Sequence, residues 1–279
     1  MGKTRIPYAT DTWNPVTGCS PDRYNLGCRE RCWAARQARR LPKTHGGYSA
    51  TGYSTGPVAI PFSRLVLHED RLDQPLHWRK ARVVFVATMG DLFHDQVPDE
   101  FIEQVFLVMG RRYYGYGKPA QRITHTWLVF TKRAERMKAV VSALVARRIT
   151  WREGMTGDLP PNIWLFVSAS TQAEVDERVP LLLQTPAAHR GLCLEPLLED
   201  VSLATRTGHW SYLKSLDQVI AGCESGPGAR KAKCAWFRSI QDQCREGGVP
   251  CYVKQVSGEE GEPQVIRFKP EPGNLAWEV

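Results

Sequence analysis

Six or seven times along this chain, a short apolar run gives way to a polar turn and then to a segment with an apolar stripe at helical spacing. The unit is clearest from Val83. Residues 83–88 have the length and β-branched composition of a strand buried on both faces. Pro98 then opens a helix in which Phe101, Ile102, Val105, Phe106 and Met109 share one face. The same pattern predicts strands at 123–130, 162–167, 190–194, 217–221 and 249–253. It predicts helices from Ala134 to about Arg147, from Ala173 to about Gln184 and from Ala235 to about Glu246. A short strand at 64–67 and a helix at 68–78 precede the first clear unit. Buried strands alternating with helices argue a parallel α/β sheet. Six or seven units in succession favour a full or partial (β/α) barrel over a Rossmann sheet.

Polar residues recur where each strand ends: Asp91, Lys132, Arg133, Ser168, Glu195, Glu224 and Lys254. In a (β/α) barrel these ends lie on one face, and that face holds the active site. An Asp or Ser in such a loop also serves as a cap for the next helix, a role open to Asp91 and Ser168. The joint placement carries more weight than any one residue. The glycines of Gly226-Pro227-Gly228 invite a phosphate-loop reading, but no Lys-Ser/Thr follows and the dinucleotide fingerprint is incomplete.

The most distinctive stretch is 12–40, TWNPVTGCSPDRYNLGCRERCWAARQARR, with Cys19, Cys28 and Cys32 inside fourteen residues. Pro15 and Gly18 break regular structure before the first cysteine, and Trp33 onward is strong helix material. The cysteines therefore lie in a loop that ends on a helix N-terminus, where exposed N–H groups favour the thiolate that binds metal. Three thiolates suit an iron–sulfur cluster with one iron left open. A structural zinc would need a fourth ligand, for which His45 or another cysteine is available. Eight cysteines in 279 residues are too sparse for a disulfide scaffold. Cys234, Cys244 and Cys251 read as small buried hydrophobes on or beside the last helix and strand.

The run DTWNPVTGC…GC…CWA resembles the start of a phage-associated three-cysteine-motif family (DUF5131), regarded as divergent relatives of radical S-adenosylmethionine (SAM) enzymes. MGDLFHDQVPDEF, FTKRAERM, DERVPLLLQTPAA, LEPLL and GCESGPGAR are similar to further blocks of that family and extend the likeness along nearly the whole chain. Eight and then three residues separate the cysteines here, wider gaps than the family's usual pattern. The resemblance implies a barrel of the radical SAM type, with Cys19, Cys28 and Cys32 holding a [4Fe–4S] cluster whose open iron binds SAM. It implies reductive cleavage of SAM to methionine and a 5′-deoxyadenosyl radical that takes hydrogen from a substrate. It places the SAM amino group near Asp91, the SAM carboxylate near Lys132 or Arg133, and the ribose or carboxylate near Ser168 and Glu195. It also requires an electron-donor protein. It assigns no catalytic side chain.

The chain carries 37 Lys and Arg against 29 Asp and Glu, a formal charge of +8. That balance fits a nucleic acid or nucleotide substrate, with Arg29, Arg36, Arg39 and Arg40 near the cysteines as steering charges, and fits plain solubility equally. No apolar run approaches the roughly 20 residues of a membrane span. The start has no signal-peptide pattern, so a cytoplasmic protein without membrane contact is expected. Residues 1–256 are expected to form one domain, with a Gly/Ser/Tyr-rich, lid-like loop at about 43–62 in which Tyr48 and Tyr53 are candidate stacking residues. Residues 257–279 read as a tail that wraps the surface. Two other functional classes stand beside the enzyme reading: a zinc-stabilised nucleic-acid-binding protein without catalysis, and a non-catalytic partner subunit on a degenerate barrel.

Overall fold

Seven strands lie side by side in the order in which the chain makes them. They are β1 (Asp11–Trp13), β2 (Val83–Val86), β3 (Thr126–Thr131), β4 (Ile163–Ser168), β5 (His189–Leu194), β6 (Gln218–Gly222) and β7 (Cys251–Ser257). All six neighbouring pairs are parallel. A final strand, β8 (Val265–Arg267), pairs antiparallel with β7. The order never reverses, so there is no switch point of the doubly wound kind. The result is an open, singly wound half-barrel with β1 and β8 at its edges. The computed structural model describes residues 3–20, 31–38, 48–49, 52–53, 62–114, 124–148, 150–152, 155–156, 158–204, 212–226, 228–257, 265–267 and 275–277.

Alternation along the strands builds two cores. Trp127, Val129, Ile163, Leu165, Val167, Leu192, Val219 and Ala221 point to the layer of helices. That layer includes α2 (Asp99–Tyr114), α3 (Ala134–Ala146), α4 (Gln172–Leu183) and α5 (Cys234–Gly247). The intervening residues Leu128, Phe130, Trp164, Phe166, Cys193, Ile220 and Tyr252 line the other face with Tyr8 and Leu275. Phe85, Phe130 and Phe166 stack from strand to strand with ring centroids 4.3 Å apart. Burial on both faces is why these strands read as nearly unbroken apolar runs.

Three expectations change. The helix expected at 68–78 is two 3-10 turns, Glu69–Arg71 and Gln74–His77. Pro75 lacks the N–H that a helix continuing from Arg71 would need, and it sits in the first turn of the second segment, where that N–H has no partner to lose. The short strand at 64–67 forms as Val66–Leu67, but it pairs antiparallel with Val16–Thr17 outside the main sheet. The tail does not merely wrap the surface. It supplies β8, buries Leu275 in the inner cluster, and sets Trp277 edge-on against Trp164 and Phe166. Most of the expected lid lies outside the described residues. Within it, Tyr48–Ser49 and Gly52–Tyr53 pair as a small antiparallel hairpin. No helix among the described residues is long and apolar enough to cross a membrane.

Candidate cofactor site at the strand exits

The exits of β1 and β2 are laced together by the Asn14 side chain and by backbone groups. Asn14 Oδ1 accepts from the Met89 N–H at 2.9 Å and from the Thr88 hydroxyl at 3.0 Å. The Gly18 N–H donates to the Met89 carbonyl at 2.9 Å, and the Cys19 N–H to the Phe62 carbonyl at 3.0 Å. Gly18 has φ +83°, and a Cβ there would stand 2.1 Å from the Arg64 carbonyl oxygen. Only glycine lets the chain turn this closely into Cys19.

Cys19 meets a buried ion pair. Asp91 and Arg133 face each other at 3.1 Å with side chains 8% and 7% exposed. The Asp91 carboxylate also accepts from the Thr131 hydroxyl at 2.8 Å, the Phe93 N–H at 3.0 Å and the Lys132 N–H at 3.3 Å. Arg133 reaches onward, with Nη1 3.7 Å from Cys19 Sγ and Nη2 donating to the Ser20 carbonyl at 3.1 Å. Burial works against the guanidinium charge, but the Asp91 carboxylate and the Cys19 sulfur outweigh it and raise the Arg133 pKa. A guanidinium beside a thiol favours the thiolate, the metal-binding form. Ser20 Oγ and His94 Nε2 complete the anchor at 2.7 Å.

The other end of the cysteine stretch is held across the mouth, at the exit of β6. Cys32, half-buried, leads into α1 (Trp33–Ala38), and its carbonyl accepts from the Arg36 N–H at 3.1 Å. Arg36 Nη2 donates to the Ser225 carbonyl at 3.1 Å, and Arg31 Nη1 lies 4.0 Å from Glu224. Arg230 bonds the same carboxylate through its backbone N–H and its guanidinium. Burial would raise the Glu224 carboxyl, but the hydrogen bonds from Arg230 and the charges of Arg230 and Arg31 hold it below its usual range. Cys19 therefore sits at the β2 and β3 exits, and Arg31 and Arg36, on either side of Cys32, are fastened at the β6 exit.

A second polar group lies on the inner face of the sheet. Glu195, leaving β5, pairs with Lys254 on β7. Lys254 Nζ stands 6.0 Å from the Tyr8 ring centroid. Burial pushes the Cys193 thiol up to about 12, and the Glu195 charge adds to that against Lys132, Lys254 and a hydrogen bond with Ser168. Burial and the same Glu195 charge raise the Tyr8 phenol well above its ordinary value. Cys193 and Tyr8 are thus neutral at physiological pH.

The family described as "Protein of unknown function (DUF5131)" matches residues 3–274, nearly the whole chain. The chain belongs to the DUF5131 family. No curated protein and no solved structure matches it.

In this DUF5131 protein the sequence-predicted residues fall into two sets. Asp91, Arg133, the Lys132 backbone and Cys19 come together in one network. Ser168 and Glu195 meet around Cys193, with Lys132 close enough to act on the same thiol. Cys28, Arg29, Arg39, Arg40 and His45 lie outside the described residues. Among the described residues no group of three or more His, Cys, Asp or Glu side chains is placed to hold a metal ion. Lys254 stood among the strand-end residues in the sequence but not in the candidate site, and the structure pairs it with Glu195. Tyr8 and His94 were missed. Tyr8 precedes β1 in a stretch without period, and His94 carries no spacing signal of its own.

Proposed function

We propose that this protein is a radical SAM-type enzyme whose Cys19, Cys28 and Cys32 hold a [4Fe–4S] cluster at the mouth of the half-barrel. One observation carries the reading: Ser20, next to Cys19, and Arg36, four residues after Cys32, are tied to groups at the carboxyl ends of the strands of a singly wound parallel sheet. The donor chemistry fits the group. Cys19 Sγ stands beside a guanidinium, and Arg133 Nε is buried with no acceptor among the described residues, leaving a donor for one more acceptor at the site. A cluster held by Cys19, Cys28 and Cys32 would supply one-electron reductive chemistry toward SAM at this site.

The chain's own residues bind and enclose. Arg133 and Asp91 fix the Cys19 turn, so the sulfur is presented in one geometry. Lys132, Ser168, Glu195 and Lys254 offer charges and hydroxyls around the inner face, where SAM and substrate are held. The aromatic floor of Phe85, Phe130, Phe166 and Tyr252 closes the interior beneath them and excludes water. The substrate class that fits the basic balance is a nucleic-acid base or nucleotide. Anaerobic reconstitution tests the reading. Iron and acid-labile sulfide in equal amounts are expected, with SAM turned into methionine and 5′-deoxyadenosine when dithionite is added as the electron donor. Zinc without sulfide would assign the cysteines to a structural site instead.

A further inference from the structure

The loop after β6 gathers a set of cations that is scattered in the sequence. Arg31 and Arg230 share the Glu224 carboxylate, and Arg36 is bound to the Ser225 carbonyl. Lys231 and Lys233 follow with exposed side chains and no carboxylate partner among the described residues. Lys233 Nζ lies 5.8 Å from the Trp236 ring centroid. Within 31–38 and 224–233, five cations thus stand against a single carboxylate, Glu224, among the described residues. Trp33, the residue after Cys32, is 46% exposed and is the one large exposed hydrophobe among the described residues.

Arg36 and Arg31 fasten α1, which carries Trp33, to the segment that carries the lysines. Cations and an exposed indole on adjoining segments are what a phosphate backbone and an unstacked base require. We propose that this rim, formed by α1 and the 224–233 segment, binds a single-stranded nucleic acid, with Lys231 and Lys233 on phosphates and Trp33 stacked on a base. The inference names the substrate class of the enzyme proposed above and rests on that reading for its catalytic meaning. A single strand is the fit because the Trp33 face needs an unpaired base, and because such a base enters the half-barrel without the cost of flipping it from a duplex.

The test uses the full chain as purified and a fluorescently labelled single-stranded oligodeoxynucleotide, followed by anisotropy across a salt series. Binding should weaken with salt. Lys231→Gln/Lys233→Gln should flatten the logarithmic salt slope by about 1.4, at about 0.7 for each phosphate no longer neutralised. Trp33→Ala should weaken binding roughly fivefold to a hundredfold with the slope unchanged. Arg245→Gln, which loses only its exposed pairing with Asp242 far along α5, should bind like the parent. Parent-like affinity and slope in the double-lysine variant would overturn the proposal. So would equal affinity for a duplex of the same sequence, or retention on phosphatidylserine vesicles without oligonucleotide binding. The measurement needs no cluster. A chain that binds oligonucleotide but takes up no iron would leave the rim standing and remove the radical SAM reading, and the reverse result would do the opposite.

Discussion

The two ends of the cysteine stretch are held by opposite means. At Cys19, Arg133 and Asp91 are both more than nine-tenths buried, and the carboxylate accepts from a hydroxyl and two backbone N–H groups as well. At Cys32 the Glu224 carboxylate is equally buried, but its Arg31 partner is 42% exposed and 4.0 Å away, while Arg36 holds the Ser225 carbonyl. Charges removed from water interact strongly and are costly to orphan, whereas charges left in water are screened. The Cys19 end is therefore part of the fold. The Cys32 end is a surface clasp that adjusts without unfolding the sheet, and it is the end that borders the basic rim.

The sharpest way to break this contrast is to unpair the buried end. Asp91→Ala leaves the Arg133 guanidinium buried without its counter-charge and should cost about 3–5 kcal/mol in denaturant unfolding. A loss no larger than that of an exposed pair would erase the distinction between the two ends.

Acid titration probes the same end more gently. Burial and then the Arg71 charge lower the His68 pKa from 6.5 to about 4, and His68 Nε2 lies 2.7 Å from the Thr17 hydroxyl just before Cys19. Between those values the unfolded chain takes up the proton and the folded chain does not. Stability should therefore be intact above about pH 6.5 and fall as pH drops toward 4, by up to about 3 kcal/mol. His68→Gln should flatten that part of the pH profile, and an unchanged profile would remove His68 as its cause.

Gly18→Ala adds a Cβ where the Arg64 carbonyl already stands and forces a side chain onto a positive φ. A destabilisation of about 1–3 kcal/mol is expected by calorimetry, since the turn is pinned on both sides. A neutral result would mean that the turn into Cys19 relaxes freely. Smallest of all, Arg31→Gln should cost less than about 1 kcal/mol, in line with its exposure. A loss matching that of Asp91→Ala would show that the Cys32 end is as deeply built as the other.

Much of the scaffold was legible because parallel strands covered on both faces leave long apolar runs. The expected strand at 162–167 and helix at 134–147 appear as Ile163–Ser168 and Ala134–Ala146. β1 is only Asp11–Trp13, too short to show a period, and Leu275 and Trp277 join the inner face from a segment rich in Gly, Pro and Glu. At the site, the strand-end rule picked out Asp91, Arg133, Glu195 and Lys254 without saying which would meet. Those pairings are set by strand order: Asp91 and Arg133 are neighbours because β2 pairs with β3, and Glu195 and Lys254 face each other from β5 and β7 across β6. No local pattern encodes such pairings. Likewise, nothing in the run 31–38 announces that its arginines would fasten to residues 224–225.

The central claim is that the tethered stretch is a cluster site. It is tested most directly by reconstituting Cys19→Ala, Cys28→Ala, Cys32→Ala and Cys234→Ala side by side under anaerobic conditions and measuring iron and acid-labile sulfide. Cys234 lies at the start of α5 with its thiol 3.5 Å from the Ser257 carbonyl, and serves as the control. The account predicts that each of the first three variants loses iron and sulfide together while Cys234→Ala matches the parent. Full iron and sulfide in all three loop variants would contradict it.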